Sequence, residues 1–189
     1  MYSLLIDTHS SEVLLILFKD GKIIANKNVE SNQSHSIIAM PLLKELLAEN
    51  NLEVSEINEI IVVNGPGSFT GVRIGVTIAK TISYCLSIPI KCISSLEVLA
   101  FNLGADNEKT VALNDRNGYF IGEFDSNNNL LKDYFYLSNK EFVEYSKNNK
   151  IDVSDNINYE KVYSFAKEKK TLNPHLVNPI YVKKIEVQK

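Results

Sequence analysis

The sequence predicts a layered α/β protein built on a mixed sheet. Three observations carry that expectation. Apolar runs of strand length open the chain, strand-like and helix-like segments alternate from there to about residue 103, and a glycine-rich turn links one strand-like run to a helix.

The elements follow in order. Residues 3–6 read as a first strand ending at Asp7 and Thr8, and residues 13–18 as a second. Lys19-Asp20-Gly21-Lys22 carries the Asp-Gly signal of a tight hairpin, so residues 23–29 form a third strand beside the second. Ser34 or Ser36 is placed to cap a helix running to about Asn50. Residues 54–59 are a connector with Ser55 as its cap, and residues 60–63 are a fourth strand. The glycine run then opens a helix over residues 72–85, and residues 90–93 are a fifth strand. Ser94 and Glu97 have the spacing of a capping box, which starts a third helix ending near Asn102. A second, weaker unit follows: strands at 110–114, 119–124 and 130–137, and helices at 138–147 and 159–169. Ser126-Asn127-Asn128-Asn129 is a polar hairpin loop, and the tail is extended with a last strand at 180–182. The domain division is 1–103 and 104–189.

The chain has 189 residues, 44% hydrophobic and 23% charged, with a net charge of −3. That balance fits a globular protein and disfavours strong nucleic-acid binding by the chain's own electrostatics. Cys85 and Cys92 read as small buried hydrophobes, not a metal pair or a disulfide framework. No apolar run reaches membrane-spanning length and the start lacks the pattern of a signal peptide, so the expected location is cytoplasmic, with no membrane partner.

The run Gly65-Pro66-Gly67-Ser68-Phe69-Thr70-Gly71-Val72-Arg73-Ile74-Gly75 is the most specific feature. A P-loop fails against it: counting from Gly65, Thr70 and Gly71 stand where the second glycine and the lysine belong. A dinucleotide turn fails too, because about sixty residues precede it where the first strand should be. What remains is a turn whose backbone closely approaches either a phosphate or the packed backbone of a partner. Ser68 and Thr70 have no neighbouring base and are placed to cap the helix.

On the helix after this turn, Gly71, Ile74, Ile78, Ile82 and Cys85 form the expected core stripe, and Phe69, Val72, Val76, Ala79 and Ser83 lie opposite. In the preceding helix Ile38, Leu42 and Leu46 form one stripe, with Met40, Leu43 and Leu47 opposed. Two readings stand: the helices pack on each other under the second unit, or they present an apolar surface to another chain. Arg73 either pairs with a partner's carboxylate or lies on its own helix.

These residues resemble the TsaB (YeaZ) family. The resemblance rests on Leu5-Ile6-Asp7-Thr8, on His35 opening an apolar helix, on the glycine run, and on Ala112-Leu113-Asn114-Asp115-Arg116 followed by Tyr119. It covers about residues 1–120. It implies an actin-like (sugar kinase/Hsp70-type, ASKHA) fold of two related βββαβα-type lobes, the C-terminal one reduced because the chain is short for the family. It implies a non-catalytic subunit that pairs with and activates the TsaD transferase in N6-threonylcarbamoylation of adenosine 37 of tRNA, with the TsaE ATPase joining the pair and tRNA reached only through the complex. A homodimer through the same patch stays open. The partner-binding residues are then Ile38, Leu42, Gly67, Ser68, Phe69, Val72, Arg73, Val76 and Lys80.

Two enzyme readings compete. Asp7 and Thr8 stand where actin-like folds face a nucleotide phosphate or Mg²⁺, which leaves an ATP-binding protein as the alternative. A metallopeptidase requires H-x-x-x-H, and the position after His35 at that spacing is Ala39, so no metal site is expected and His35 reads as a helix-start residue bonded locally. No cofactor is called for.

Overall fold

The computed structural model describes residues 1–30, 35–153 and 156–183. The opening hairpin follows from its turn. Asp20 and Gly21 both adopt positive φ (50° and 83°), as a type I′ turn demands, and this brings β2 (Glu12–Lys19) antiparallel to β3 (Lys22–Glu30). β1 (Tyr2–Asp7) pairs antiparallel with β2 and parallel with β4 (Ile57–Val63), and β4 pairs parallel with β5 (Ile90–Ile93). The sheet order is β3-β2-β1-β4-β5, mixed as expected.

β1 and β4 are apolar without alternation because both faces of the sheet are buried. Leu4, Ile6, Ile60 and Val62 point into a core beneath α1 (His35–Glu49) and α2 (Phe69–Leu86). Their neighbours Leu5, Ile61 and Val63 point the other way, into a core with α3 (Ser95–Leu103) and α5 (Tyr159–Glu168). A second sheet, β6-β7-β8 (Lys109–Asp115, Gly118–Phe124, Phe135–Ser138), is antiparallel throughout and packs on the opposite side of α3, where Leu96 and Ala100 meet Val111, Phe120 and Phe124. α4 (Asn139–Asn148) is capped by Ser138. α3 is thus shared between both sheets, and its capping box of Ser94 and Glu97 is present as read.

Several expectations are corrected. The strand expected at 130–137 shortens to β8, because the chain bends after Leu130, which makes only an isolated bridge to Phe124. Residues 180–182 form no strand; the Ile180 amide donates to the Asn64 carbonyl (2.8 Å) and Tyr181 packs on Phe69. The connector before β4 is a 3₁₀ turn (Val54–Glu56) capped by Glu53 instead of Ser55. Ser36 lies inside α1, and Ser34 lies outside the described residues. Cys85 is exposed, not buried. Cys92 is half-buried, and burial pushes its thiol up to about 11.

The largest correction concerns α2, which is rotated from the expected setting. Val72 (2% exposed), Val76 (3%), Ala79 and Ser83 face the sheet, while Ile74 and Ile78 are only half-buried. Arg73, Thr77, Thr81 and Tyr84 face outward, so the helix has one polar side. In α1, Leu42 and Leu46 are buried together with Leu43 and Leu47. Val72, Val76 and Leu42 are therefore core residues and offer no surface to a partner. Placing a carboxylate at Val76 leaves an unpaired charge in the core, at a cost of about 3–5 kcal/mol against a typical total stability of about 5–15 kcal/mol. Val76→Glu is expected to lower the denaturation midpoint drastically or prevent folding, whereas Ile78→Glu, half-exposed, stays close to the parent; chemical denaturation followed by circular dichroism checks both.

Candidate functional site

The site is built where the glycine turn seats on the turn after β1. Ser68 caps α2, its hydroxyl accepting from the Gly71 amide (3.2 Å). The Ser68 amide donates to the His9 carbonyl (2.7 Å), and the Thr8 hydroxyl donates to the Gly71 carbonyl (2.7 Å). Side chains are excluded by this contact: a Cβ at Gly67 would lie 2.3 Å from the His9 carbonyl oxygen, and one at Gly71 2.1 Å from that of Thr8. The close approach read from the glycines is made, at Gly67 and Gly71, to the chain's own β1–β2 turn.

Asp7 is buried and already engaged. Its carboxylate accepts from the His9 amide (3.0 Å) and from His9 Nδ1 (2.6 Å). Burial opposes charge on His9, yet the adjacent Asp7 carboxylate, with Glu12 adding to it, holds the imidazole pKa above its ordinary value. Thr8 is fully buried with its hydroxyl committed to Gly71. Among the described residues no three His, Cys, Asp or Glu side chains converge to hold a metal.

Two of the concave surfaces around this seat bear on function. One is a furrow of about 390 Å³ between α1 and α2, lined by Met40, Arg73, Ile74, Thr77 and Ile78. Exposed Ile37 (62%) belongs to the same stretch of α1. The other is a cavity of about 510 Å³ at the end of the β1–β2 turn, walled by His9, His35, Ser68 and the β6–β7 turn. Sequence reasoning missed the furrow because it put Ile74 and Ile78 inside; the four-residue spacing of Arg73, Thr77 and Thr81 was the signal for the outer face.

The remaining candidate residues fall as follows. Ile38 is half-buried against the core and Gly67 is half-buried in the turn. Phe69 is 44% exposed; it packs on Tyr181 with ring centroids 5.1 Å apart, and the Arg73 guanidinium lies 5.3 Å from its ring. Arg73 therefore lies on its own helix, one of the two readings left open. Lys80 donates to the Val177 carbonyl (2.8 Å), holding the chain's tail along α2. His35 opens α1, and among the described residues its buried Nε2 has no hydrogen-bond partner, so the expected local bond is not made at that nitrogen. Among the described residues no helix is long and apolar enough to cross a membrane.

Three antiparallel strands running into a parallel pair, with helices on both faces and a second three-stranded sheet, define an actin-like α/β protein. The solved structure of YeaZ from Pseudomonas aeruginosa superposes with a TM-score of 0.75 at 18% identity, covering 95% of this chain and 99% of that one. The family model described as TsaD, tRNA N6-adenosine threonylcarbamoyltransferase, matches residues 23–120, just over half of the chain. The tRNA threonylcarbamoyladenosine biosynthesis protein TsaB of Bacillus subtilis is 42% identical over 102 residues, which are 54% of this chain and 44% of that protein. The protein of the same name from Buchnera aphidicola (subsp. Schizaphis graminum) is 33% identical over 132 residues, 68% of this chain and 62% of its own length. The chain belongs to the TsaB (YeaZ) family, within the wider family that the transferase model describes. The aligned parts span 44% and 62% of these two relatives, less than two thirds of either.

Two outcomes test the seat. Gly71→Ala must push backbone apart and is expected to cost about 1–3 kcal/mol, read as a lower midpoint in urea. The His9–Asp7 pair contributes a stability that is fully present below the unfolded imidazole value of about 6.5 and fades as pH rises through the raised folded value. The melting-temperature advantage of the parent over His9→Gln is therefore expected to be largest near pH 6 and to shrink toward pH 9; an advantage independent of pH would contradict the pairing.

Proposed function

We propose that this chain is a non-catalytic subunit in the formation of N6-threonylcarbamoyladenosine at position 37 of tRNA, and that it binds and activates a TsaD-like catalytic subunit. The observation that carries this reading is the furrow between α1 and α2, where Met40, Ile74 and Ile78 stay open on a chain of the TsaB family. Its apolar floor and its Arg73 rim suit the helices of a related subunit, with residues 1–103 carrying the contact and residues 104–189 forming the smaller unit. Phe69, whose ring lies against Arg73, extends this contact together with Ser68 and Ile38, and Lys80 acts indirectly by holding the tail along α2. A TsaE-like ATPase joins the pair, and tRNA is contacted through the complex.

The engagement of Asp7 by His9 speaks against the ATP-binding alternative, since the acid that would face a Mg²⁺ ion already accepts two bonds. The absence of the second histidine after His35 speaks against a peptidase.

Light scattering of the chain mixed with the TsaD-like protein of its own organism tests the reading. A one-to-one complex is expected, weakened about 30-fold or more by Ile78→Glu or Met40→Glu with the melting temperature unchanged. A complex that survives both substitutions would move the contact elsewhere, and no complex with the parent chain would remove the subunit reading.

A further inference from the structure

The C-terminal segment crosses the start of α2 and is fixed on both sides of Tyr181. Upstream, Lys80 donates to the Val177 carbonyl (2.8 Å), and the Asn64 side chain donates to the Asn178 carbonyl (2.9 Å). The Ile180 amide returns a bond to the Asn64 carbonyl (2.8 Å). Downstream, Val182 packs against the core that α3 shares with the second sheet, and Lys183 pairs with Asp115 at the end of β6. Between these anchors the Tyr181 ring lies against Phe69, the first residue of α2.

Phe69 in turn lies beneath Arg73, one helical turn on, with the guanidinium 5.3 Å from its ring. Arg73 lines the furrow, is exposed, and among the described residues has no carboxylate partner. A free arginine on a surface samples many rotamers, and a contact that uses it must first order it. Stacking on Phe69 does that ordering in advance. Phe69 is itself exposed, and the Tyr181 ring is what holds it in place. Tyr181, Phe69 and Arg73 thus form a relay from the second sheet to the rim of the furrow.

We propose that Tyr181 is a positioning residue for the furrow: acting through Phe69, it presents the Arg73 guanidinium at the rim, where an acidic side chain of the docked subunit meets it. This rests on the reading of the furrow as the docking surface. It gives the C-terminal unit a part in an association whose direct contacts lie on residues 1–103.

Two measurements on the 189-residue chain test it. In the ¹⁵N-labelled protein the two arginines give two side-chain Nε–H signals, and Arg73→Lys identifies that of Arg73. Tyr181→Ala is expected to shift this signal and raise its mobility, while Tyr181→Phe, which keeps the ring, leaves it in place. In titration calorimetry with the TsaD-like protein of the same organism, Tyr181→Ala is expected to weaken binding about threefold to tenfold and Tyr181→Phe to retain the parent affinity. In an Arg73→Ala background Tyr181→Ala is expected to add nothing. An unmoved Arg73 signal overturns the inference whether or not a complex forms. So does unchanged affinity in Tyr181→Ala, or a loss that persists in full in the Arg73→Ala background. A moved signal with no complex from the parent chain overturns the subunit reading, and the positioning role falls with it.

Discussion

The seat of the glycine turn on the β1–β2 turn is the contact from which the other features of the molecule follow. Two short hydrogen bonds and two absent Cβ atoms bring the start of α2 against Thr8 and His9. Because the helix begins there, its rotation is set: Val72, Val76 and Ala79 must drop onto β1 and β4, and Arg73, Thr77 and Ile78 must rise. The same contact brings Ser68 beside the β6–β7 turn, so one packing decision creates both the furrow and the cavity. It also commits the Thr8 hydroxyl and one oxygen of the Asp7 carboxylate to bonds inside the protein.

Much of the fold was legible in the sequence, and the reason is local. The Asp20-Gly21 turn, the Ser94–Glu97 capping box and the apolar runs of β1 and β4 each act through neighbours in the chain, so their outcome needs no knowledge of the rest. The rotation of α2 was not legible from hydrophobicity, because Ile74 and Ile78 are as apolar as Val72 and Val76. The glycines decide it: a face with Gly71, Gly75 and Ala79 is the one that can press against backbone, and bulkier residues beside them are carried inward. The shortened β8 and the missing last strand show the complementary limit. Their residues have strand character, but strand pairing needs a partner edge that only the tertiary structure supplies.

The candidate site divides in the same way. His35 was visible as a helix opener and Arg116 as part of a polar turn, yet their juxtaposition across the cavity joins segments some eighty residues apart in the chain. No spacing rule links them. Lys80 looked like part of a contact surface and instead serves the tail, because the carbonyls it meets belong to residues that carry no signal of their own.

The tail has a consequence for how this protein can associate. β5 is an outer strand of the first sheet, and Leu172 bridges it by donating its amide to the Ile90 carbonyl (2.9 Å). The opposite edge, β3, carries Lys22, Lys27 and Glu30, charges of the kind that discourage another strand from adding on. The tail thus occupies the Ile90 end of one margin of the sheet, and charge discourages pairing at the other. Recognition by backbone pairing is disfavoured at this sheet, and the selectivity of any assembly falls to side chains on its helical face.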